Sequence, residues 1–215
     1  MNDFKPTPRR SAALLVSLLA ASAALSACAP LLIGGAAVGS ALVVTDRRTT
    51  GTQVDDQSIE LKAANRVSQA IGDRGHVNAT SYNRVVLLTG EVPDEAARLK
   101  VEQAVAGVEN VKSVVNELAV MGNSSLTARS NDALLTSKVK ATLVDAKDVQ
   151  ANAIKVVSER GTVYLMGRVT EREAGRASDL TRSVGGVQKV VRVFEVITEA
   201  ELANVTPSPV VEKKP

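Results

Sequence analysis

Val85-Val86-Leu87-Leu88-Thr89-Gly90-Glu91-Val92 decides the fold, because the chain writes the same plan twice. Val163-Tyr164-Leu165-Met166-Gly167-Arg168-Val169 again sets a short apolar run before a glycine, a charge and a valine, 77 residues further on. The flanks recur as well. Ile59, Ala63, Val67 and Ile71 step at every fourth position, one face of a helix, and Leu135, Val139 and Leu143 do the same in the second copy. Downstream, Gly107-Val108 and Val111 reappear as Gly186-Val187 and Val190. An apolar, β-rich run cannot bury itself, so each glycine-ended strand needs helices packed beside it. The pattern predicts two small α+β domains in tandem.

Each copy reads αββαβ, with two helices expected on one face of a three-stranded mixed sheet. The first spans residues 55–121. Asp55-Asp56-Gln57-Ser58 supplies capping chemistry and negative charge for a helix that runs to about Ile71 and stops at Gly72. His76 to Thr80 is a weak strand, Ser81-Tyr82-Asn83 a turn, and Val85 to Gly90 the central strand. Pro93 suits the first position of the next helix, with Asp94 and Glu95 in its first turn and Ala97, Val101, Ala104, Val105 and Val108 as its buried stripe. Val111 to Val120 closes the sheet. After a linker at 122–128, the second copy occupies 129–198. Its helix lies near Asn131–Ala146, its strands near Ala153–Val157, Thr162–Gly167 and Gln188–Thr198, and Thr170-Glu171-Arg172-Glu173 is a capping box between them. Residues 199–215, with Pro207, Pro209, Lys213 and Lys214, read as a disordered tail.

The N-terminus has another character. Lys5, Arg9 and Arg10 precede an apolar run from Ala12 to Leu25, the n- and h-regions of an export signal. It ends in Leu25-Ser26-Ala27-Cys28, a lipobox, in which small residues suit the peptidase cleft and the thiol takes a diacylglyceryl group. Residues 1–27 are therefore expected to be removed and Cys28 lipidated. Cys28 is the sole cysteine, so an intramolecular disulfide is impossible. Ala29 follows where the enteric sorting rule would need Asp to retain the protein at the inner membrane, which favours the outer one. Pro30 to Val44 is apolar but shorter than the roughly 20 residues a membrane span needs. It reads as lying against the membrane or packing on the first domain, and Asp46-Arg47-Arg48-Thr49-Thr50-Gly51 closes a tether at 28–54.

Composition limits the partners. Aromatics are 2% of the 215 residues and Trp is absent, so the cores must be Val, Ile, Leu and Ala. The same scarcity argues against base-stacking surfaces, and no nucleic-acid partner is expected. The formal charge of +3 falls to about +1 without the signal, but the halves differ. Residues 55–121 hold seven Lys/Arg against ten Asp/Glu, net −3, while residues 129–198 hold twelve against eight, net +4. An anionic surface would attract the second copy.

The helix, the strand-Gly-x-Val turn and the Gly-Val-x-x-Val entry to the last strand together resemble the BON domain, a periplasmic and membrane-associated module. The lipobox, the run Asp46 to Asp56 and the two copies are similar to the tandem-BON outer-membrane lipoproteins. Asn116 matches a family position after the last-strand valines, and Glu195 departs from it in the second copy. The resemblance implies a protein without catalysis that supports outer-membrane integrity, faces the periplasm and concentrates at the division site. It implies anionic phospholipid as a partner of the second domain, bound through that domain's first helix. The alternative it offers is a periplasmic adaptor for outer-membrane protein assembly or for regulators of septal cell-wall amidases.

The residues of that helix admit either use. At about 100° per residue, Arg129, Thr136, Lys140 and Lys147 fall on one line, and Ala133 and Val144 sit beside it. Such a face can meet lipid headgroups, as lysines snorkel, or stand plainly in solvent. Arg172 and Arg176 are read as surface partners of Glu171 and Glu173. His76, the sole histidine, has no second His or Cys to complete a zinc set, and Asp55-Asp56 lacks calcium-loop spacing. Neither a nucleophile–base pair nor a phosphate loop is present, so neither catalysis nor a cofactor or metal is expected.

Replacing Cys28 with Ser should abolish acyl labelling and outer-membrane fractionation, leaving an uncleaved or a soluble periplasmic form. Radiolabelled palmitate incorporation with membrane fractionation checks this; unchanged labelling would refute the lipobox reading.

Overall fold

The computed structural model describes residues 46–205, so Cys28, most of the expected tether and residues 206–215 lie outside it. In chain order the elements are α1 (Thr50–Ile71), β1 (His76–Tyr82), β2 (Val85–Val92), α2 (Glu95–Ala106), β3 (Ser113–Asn116) and β4 (Ala119–Val120). The second set is α3 (Leu126–Asp145), β5 (Ile154–Glu159), β6 (Thr162–Val169), α4 (Glu171–Arg182) and β7 (Lys189–Val196), followed by α5 (Glu199–Val205). Each repeat is αββαβ, with its central strand antiparallel to the strand before it and parallel to the strand after α2 or α4.

Alternation along the central strands sorts their side chains. Val86, Leu88 and Val92 join Ile59, Ala63, Val67, Ile71, Ala97, Val101 and Val105 in the first core. Val163, Leu165 and Val169 join Leu135, Val139, Leu143, Ala174 and Ala177 in the second. The opposite face of each sheet is apolar too. Tyr82 and Leu87 of the first domain pack on Tyr164 and Met166 of the second, with Val115, Val157, Val191 and Val193 around them. The sheets therefore meet through their helix-free faces, and the helices lie outside.

One aspartate per repeat holds the hairpin. Asn83-Arg84 and Arg160-Gly161 all have positive φ and join strands paired up to Tyr82–Val85 and Glu159–Thr162, the two-residue turn that suits strand twist. Asp56 accepts the Asn83 and Arg84 N–H groups, each at 2.8 Å, and the Ser81 hydroxyl at 2.6 Å. Asp132 accepts the Arg160 and Gly161 N–H groups at 2.8 and 2.9 Å. The expected capping role of Asp55-Asp56 is thus corrected. α1 begins five residues earlier, capped by the Thr49 hydroxyl, and Asp56 is buried inside it as the anchor of the turn. The expected turn at Ser81-Tyr82-Asn83 shifts as well, because Tyr82 is needed between the sheets.

Other boundaries move for local reasons. Asp94, rather than Pro93, opens α2 by accepting from Ala97 N–H. Asn116 breaks the closing strand of the first sheet: its amide donates to Glu102 and its carbonyl accepts from Leu118 N–H. Glu195 at the matching place makes no such break, and β7 runs straight through. The capping box at Thr170–Glu173 forms as expected. The tail begins as a helix, α5, held by reciprocal bonds between Thr198 and Glu201.

The run Asp46-Arg47-Arg48 is structural, contrary to its reading as tether. Arg47 is buried and makes a bidentate pair with Glu173 of the second domain, 2.7 Å to each oxygen, while also donating to the Arg168 carbonyl. Arg48 binds Asp46 and Asp56 and lies over the Tyr82 ring at 4.2 Å. A second interdomain pair runs the other way: Arg160 reaches the fully buried Glu91 at 2.9 Å. Lys155 meets Glu60 at 2.7 Å.

The two glycines ending the central strands are spaced as a close approach requires. A Cβ at Gly90 would collide with the His76 carbonyl oxygen, and one at Gly167 with that of Ala153. The obstacle is the neighbouring strand rather than the incoming helix, and only Gly90 also has positive φ, at +114°. Gly90→Val and Gly167→Val should each destabilise the fold by at least ~1 kcal/mol, read by urea unfolding; two unaltered transitions would refute the pairing of the repeats.

Buried carboxylates give the fold an acid limit. Burial pushes Glu91 up, but the Ser124 N–H and the Arg160 guanidinium outweigh it and hold the carboxyl below its ordinary value. Burial is likewise overcome at Asp56 by the Ser81, Arg84 and Arg48 donors, and at Glu173 by Arg47 and the Thr170 N–H. Glu159 works in the opposite direction, raised by burial and by the Glu91 and Asp132 charges. The stabilisation from the three lowered groups is complete above the ordinary carboxylate range near ~4 and is lost as pH falls through their lower folded values. Melting temperature should fall on acidification below about pH 4, and less steeply in Glu91→Gln, measured by circular dichroism from pH 7 downwards.

Candidate lipid-facing surface

α3 carries the residues assigned from sequence. It starts at Leu126 with the Ser125 hydroxyl accepting from Ala128 N–H, and it turns Leu135, Val139 and Leu143 into the core beside the buried Asp132. Among the assigned residues, Ala133, Lys140, Val144 and Lys147 are exposed, Val144 to 68%. Arg129 and Thr136 sit on the flank, half-buried and engaged. Arg129 donates to the Ser124 hydroxyl at 3.2 Å, and Thr136 to that of Ser158 at 2.8 Å. Lys147 follows the helix end at Asp145 and belongs to the next loop.

The outermost ridge of α3 is more apolar than the residue line drawn from sequence. Leu126 is 79% exposed and Leu134 62%, and with Ala133, Ala141 and Val144 they share the outward face with Ser130 and Ser137, flanked by Lys138 and Lys140. The signal was present in the spacing: once Leu135, Val139 and Leu143 are inward, 100° steps place residues 126, 134, 141 and 144 outward.

The C-terminal half of α3 also borders a cleft. Lys140, Leu143 and Val144 share it with Ile154, Lys155 and Val156 of the second domain, Tyr82 of the first and Arg48, around a volume of about 340 Å³. Lys155 and Arg48 are already paired with carboxylates. Burial pushes the Tyr82 phenol up to about 12, so that wall stays neutral.

Arg172 and Arg176 have partners other than those expected. Arg176 pairs with Asp148 at 2.7 Å and Arg172 approaches Glu199 at 3.9 Å, both exposed. They do not meet Glu171 and Glu173 as expected: Glu171 serves Arg192, and Glu173 is taken by Arg47. Burial and the nearby Arg129 lower the half-buried His76, against the opposing charge of Glu91. Among the described residues no cluster of three or more His, Cys, Asp or Glu is arranged to hold a metal, and no helix is long and apolar enough to cross a membrane.

Comparison with known proteins agrees with this architecture. The BON domain profile matches residues 55–122 and again 131–198. Outer membrane lipoprotein DolP of Haemophilus influenzae is 42% identical over 185 residues, which cover 85% of this chain and 95% of that protein. The 21 kDa hemolysin of Actinobacillus pleuropneumoniae is 32% identical over 71% of this chain and 79% of its own length. Osmotically-inducible protein Y of Escherichia coli K12 is 28% identical over 75% and 90%. Among solved structures, the C-terminal domain of CdsD from Chlamydia trachomatis covers 62% of this chain and 96% of its own at 10% identity and a TM-score of 0.28, too loose a likeness to bear on function. With the αββαβ plan formed twice and both copies matched, the chain belongs to the BON-domain family as a tandem member.

Proposed function

We propose that this chain is a lipid-anchored outer-membrane protein, facing the periplasm, whose second BON domain docks on anionic phospholipid through the exposed ridge of α3. The observation that carries the reading is the strip Leu126, Leu134 and Val144, exposed beside Lys138, Lys140 and Lys147. Apolar side chains can enter the headgroup layer while lysines snorkel, and each basic residue near an anionic surface adds on the order of 1 kcal/mol. The net +4 of residues 129–198 favours that approach, and the −3 of residues 55–121 opposes docking through the first domain. The kinship with a protein named as an outer-membrane lipoprotein supports the anchoring. Non-catalytic maintenance of the outer membrane, with concentration at the division site, is the cellular role this implies.

A separate observation favours an adaptor. Between β3 and β7 lies a groove of about 490 Å³ with Val115, Val191, Val193 and Phe194 in its lining and Lys112, Glu117, Arg192 and Glu195 among its polar groups. Outer-membrane protein assembly machinery or an amidase activator would be the partner there.

Liposome co-sedimentation separates the two. Using the Cys28→Ser mature chain, Lys140→Glu with Lys147→Glu should weaken binding to phosphatidylglycerol vesicles and leave the residue less sensitive to salt. The same reversal at Lys62 and Arg66 should do much less. Measured at two ionic strengths with circular dichroism as a folding control, equal losses from both pairs, or none from the second-domain pair, would favour the adaptor.

A further inference from the structure

The buried pair Arg47–Glu173 joins residues 126 positions apart, and it does so at the point where the chain coming from Cys28 enters the folded body. Both side chains are nearly excluded from solvent, 7% and 6% exposed, and the contact is bidentate at 2.7 Å. The surroundings complete it. Arg47 also donates to the Arg168 carbonyl at 2.8 Å, and Arg168 returns a bond to the Arg47 carbonyl at 3.3 Å. Glu173 keeps a second duty, accepting from Thr170 N–H in the capping box of α4. A buried ion pair is a poor source of net stability compared with apolar packing, and its best-attested use is to fix one arrangement over others.

The arrangement fixed here concerns the anchor. Arg47 attaches the entering chain to the N-terminal end of α4, and the next residue, Arg48, lines the same cleft as Lys140 and Val144. The chain thus enters beside the C-terminal half of α3. Asp46 stands 18 positions after Cys28, a stretch of at most about 60 Å when fully extended. Without Arg47 the entering chain would still be held to the first domain, through Arg48 and Asp56 and the Thr49 cap of α1. Arg47 is the residue that ties it to the second.

We infer that the Arg47–Glu173 pair is an orienting clasp, which fixes the entry of the lipid-anchored chain onto the second domain so that anchor and α3 ridge address the same bilayer. The inference rests on the α3 reading above and adds a positioning role for two residues that lie outside that ridge. Anchoring then makes the α3 contact intramolecular, raising the effective concentration of headgroups it meets.

The test uses the full lipidated protein in phosphatidylethanolamine–phosphatidylglycerol vesicles. Since Cys28 is acylated, a cysteine placed by Val144→Cys, or by Leu61→Cys as a control on α1, is the single labelling site. A fluorophore at position 144 should be quenched by bromolipids several-fold more than one at 61. The apolar exchange Arg47→Met with Glu173→Leu removes the clasp while keeping buried volume, and Glu173→Gln is a second, milder variant. Both should bring quenching at 144 down towards that at 61, read at a temperature where circular dichroism shows each variant folded, because loss of the buried pair also lowers the melting temperature. Undiminished contrast in a folded variant would overturn the clasp.

A soluble arm distinguishes the two readings. The Cys28→Ser chain with the same clasp substitutions should sediment with phosphatidylglycerol vesicles as its parent does. Equal losses in the soluble and anchored forms would mean that the substitutions disturb α3 itself, and would also overturn the clasp. Should the soluble parent fail to sediment, the label contrast in the anchored protein decides: contrast between 144 and 61 keeps the α3 contact as one that needs the anchor's effective concentration, and no contrast overturns the α3 reading and the clasp with it.

Discussion

The structure depends on the burial of both faces of two small sheets. In an isolated αββαβ unit the helices cover one face and leave the other in water. Here that other face carries Tyr82 and Leu87 in one copy and Tyr164 and Met166 in the next, all nearly fully buried against each other. Burial of side chains of this size contributes roughly 1.5–3 kcal/mol each relative to exposure, which explains why the two tyrosines of the chain are placed at this seam. Sheet against sheet then leaves the four long helices on the outside, and α3 presents a face to solvent for that reason.

Polar groups at the rim set the register of this packing. Glu91 is the residue between glycine and valine in the first central strand and points away from the first core, where Arg160 of the second domain finds it. Arg168 occupies the matching place in the second strand and contacts Glu195 and the Arg47 backbone. The strand-Gly-x-Val pattern therefore carries two messages. The glycine lets the neighbouring strand approach, and the residue after it carries a charge, which pairs with Arg160 of the other domain in the first copy and with Glu195 of its own domain in the second. The chain entering at Asp46 is drawn into the same network, so Asp46, Arg47 and Arg48 are part of the tertiary structure.

The exposed ridge of α3 follows from this arrangement and from composition. Leu126, Leu134 and Val144 are exposed although the cores are built from the same residue types. A soluble face would be expected to replace them with polar side chains, whereas a face that meets headgroups uses them beside lysines. The first domain offers a different balance: Val54 and Leu61 are exposed on α1, but within a half that is net negative.

Much of this was written in the sequence. The two-fold repeat, the αββαβ order, the inward stripe of α3 and the capping box at Thr170 follow from local periodicity and capping chemistry, which neighbouring residues decide among themselves. The helical wheel itself sets Arg129 and Thr136 on the flank of the inward stripe, and Ser124 and Ser158, which no local pattern names as partners, hold them there half-buried. Asp56 looked like a cap because acidic residues favour helix starts, and only the hairpin folded beside it shows why a carboxylate is buried there. Arg47 looked like tether because the run around it is polar. Its partner lies 126 residues away, and no local pattern records a contact of that range. Sequence determined the elements and the faces they bury; which charges meet across the seam, and where the entering chain joins it, were decided by the tertiary structure, because two apolar sheet faces had to close on each other.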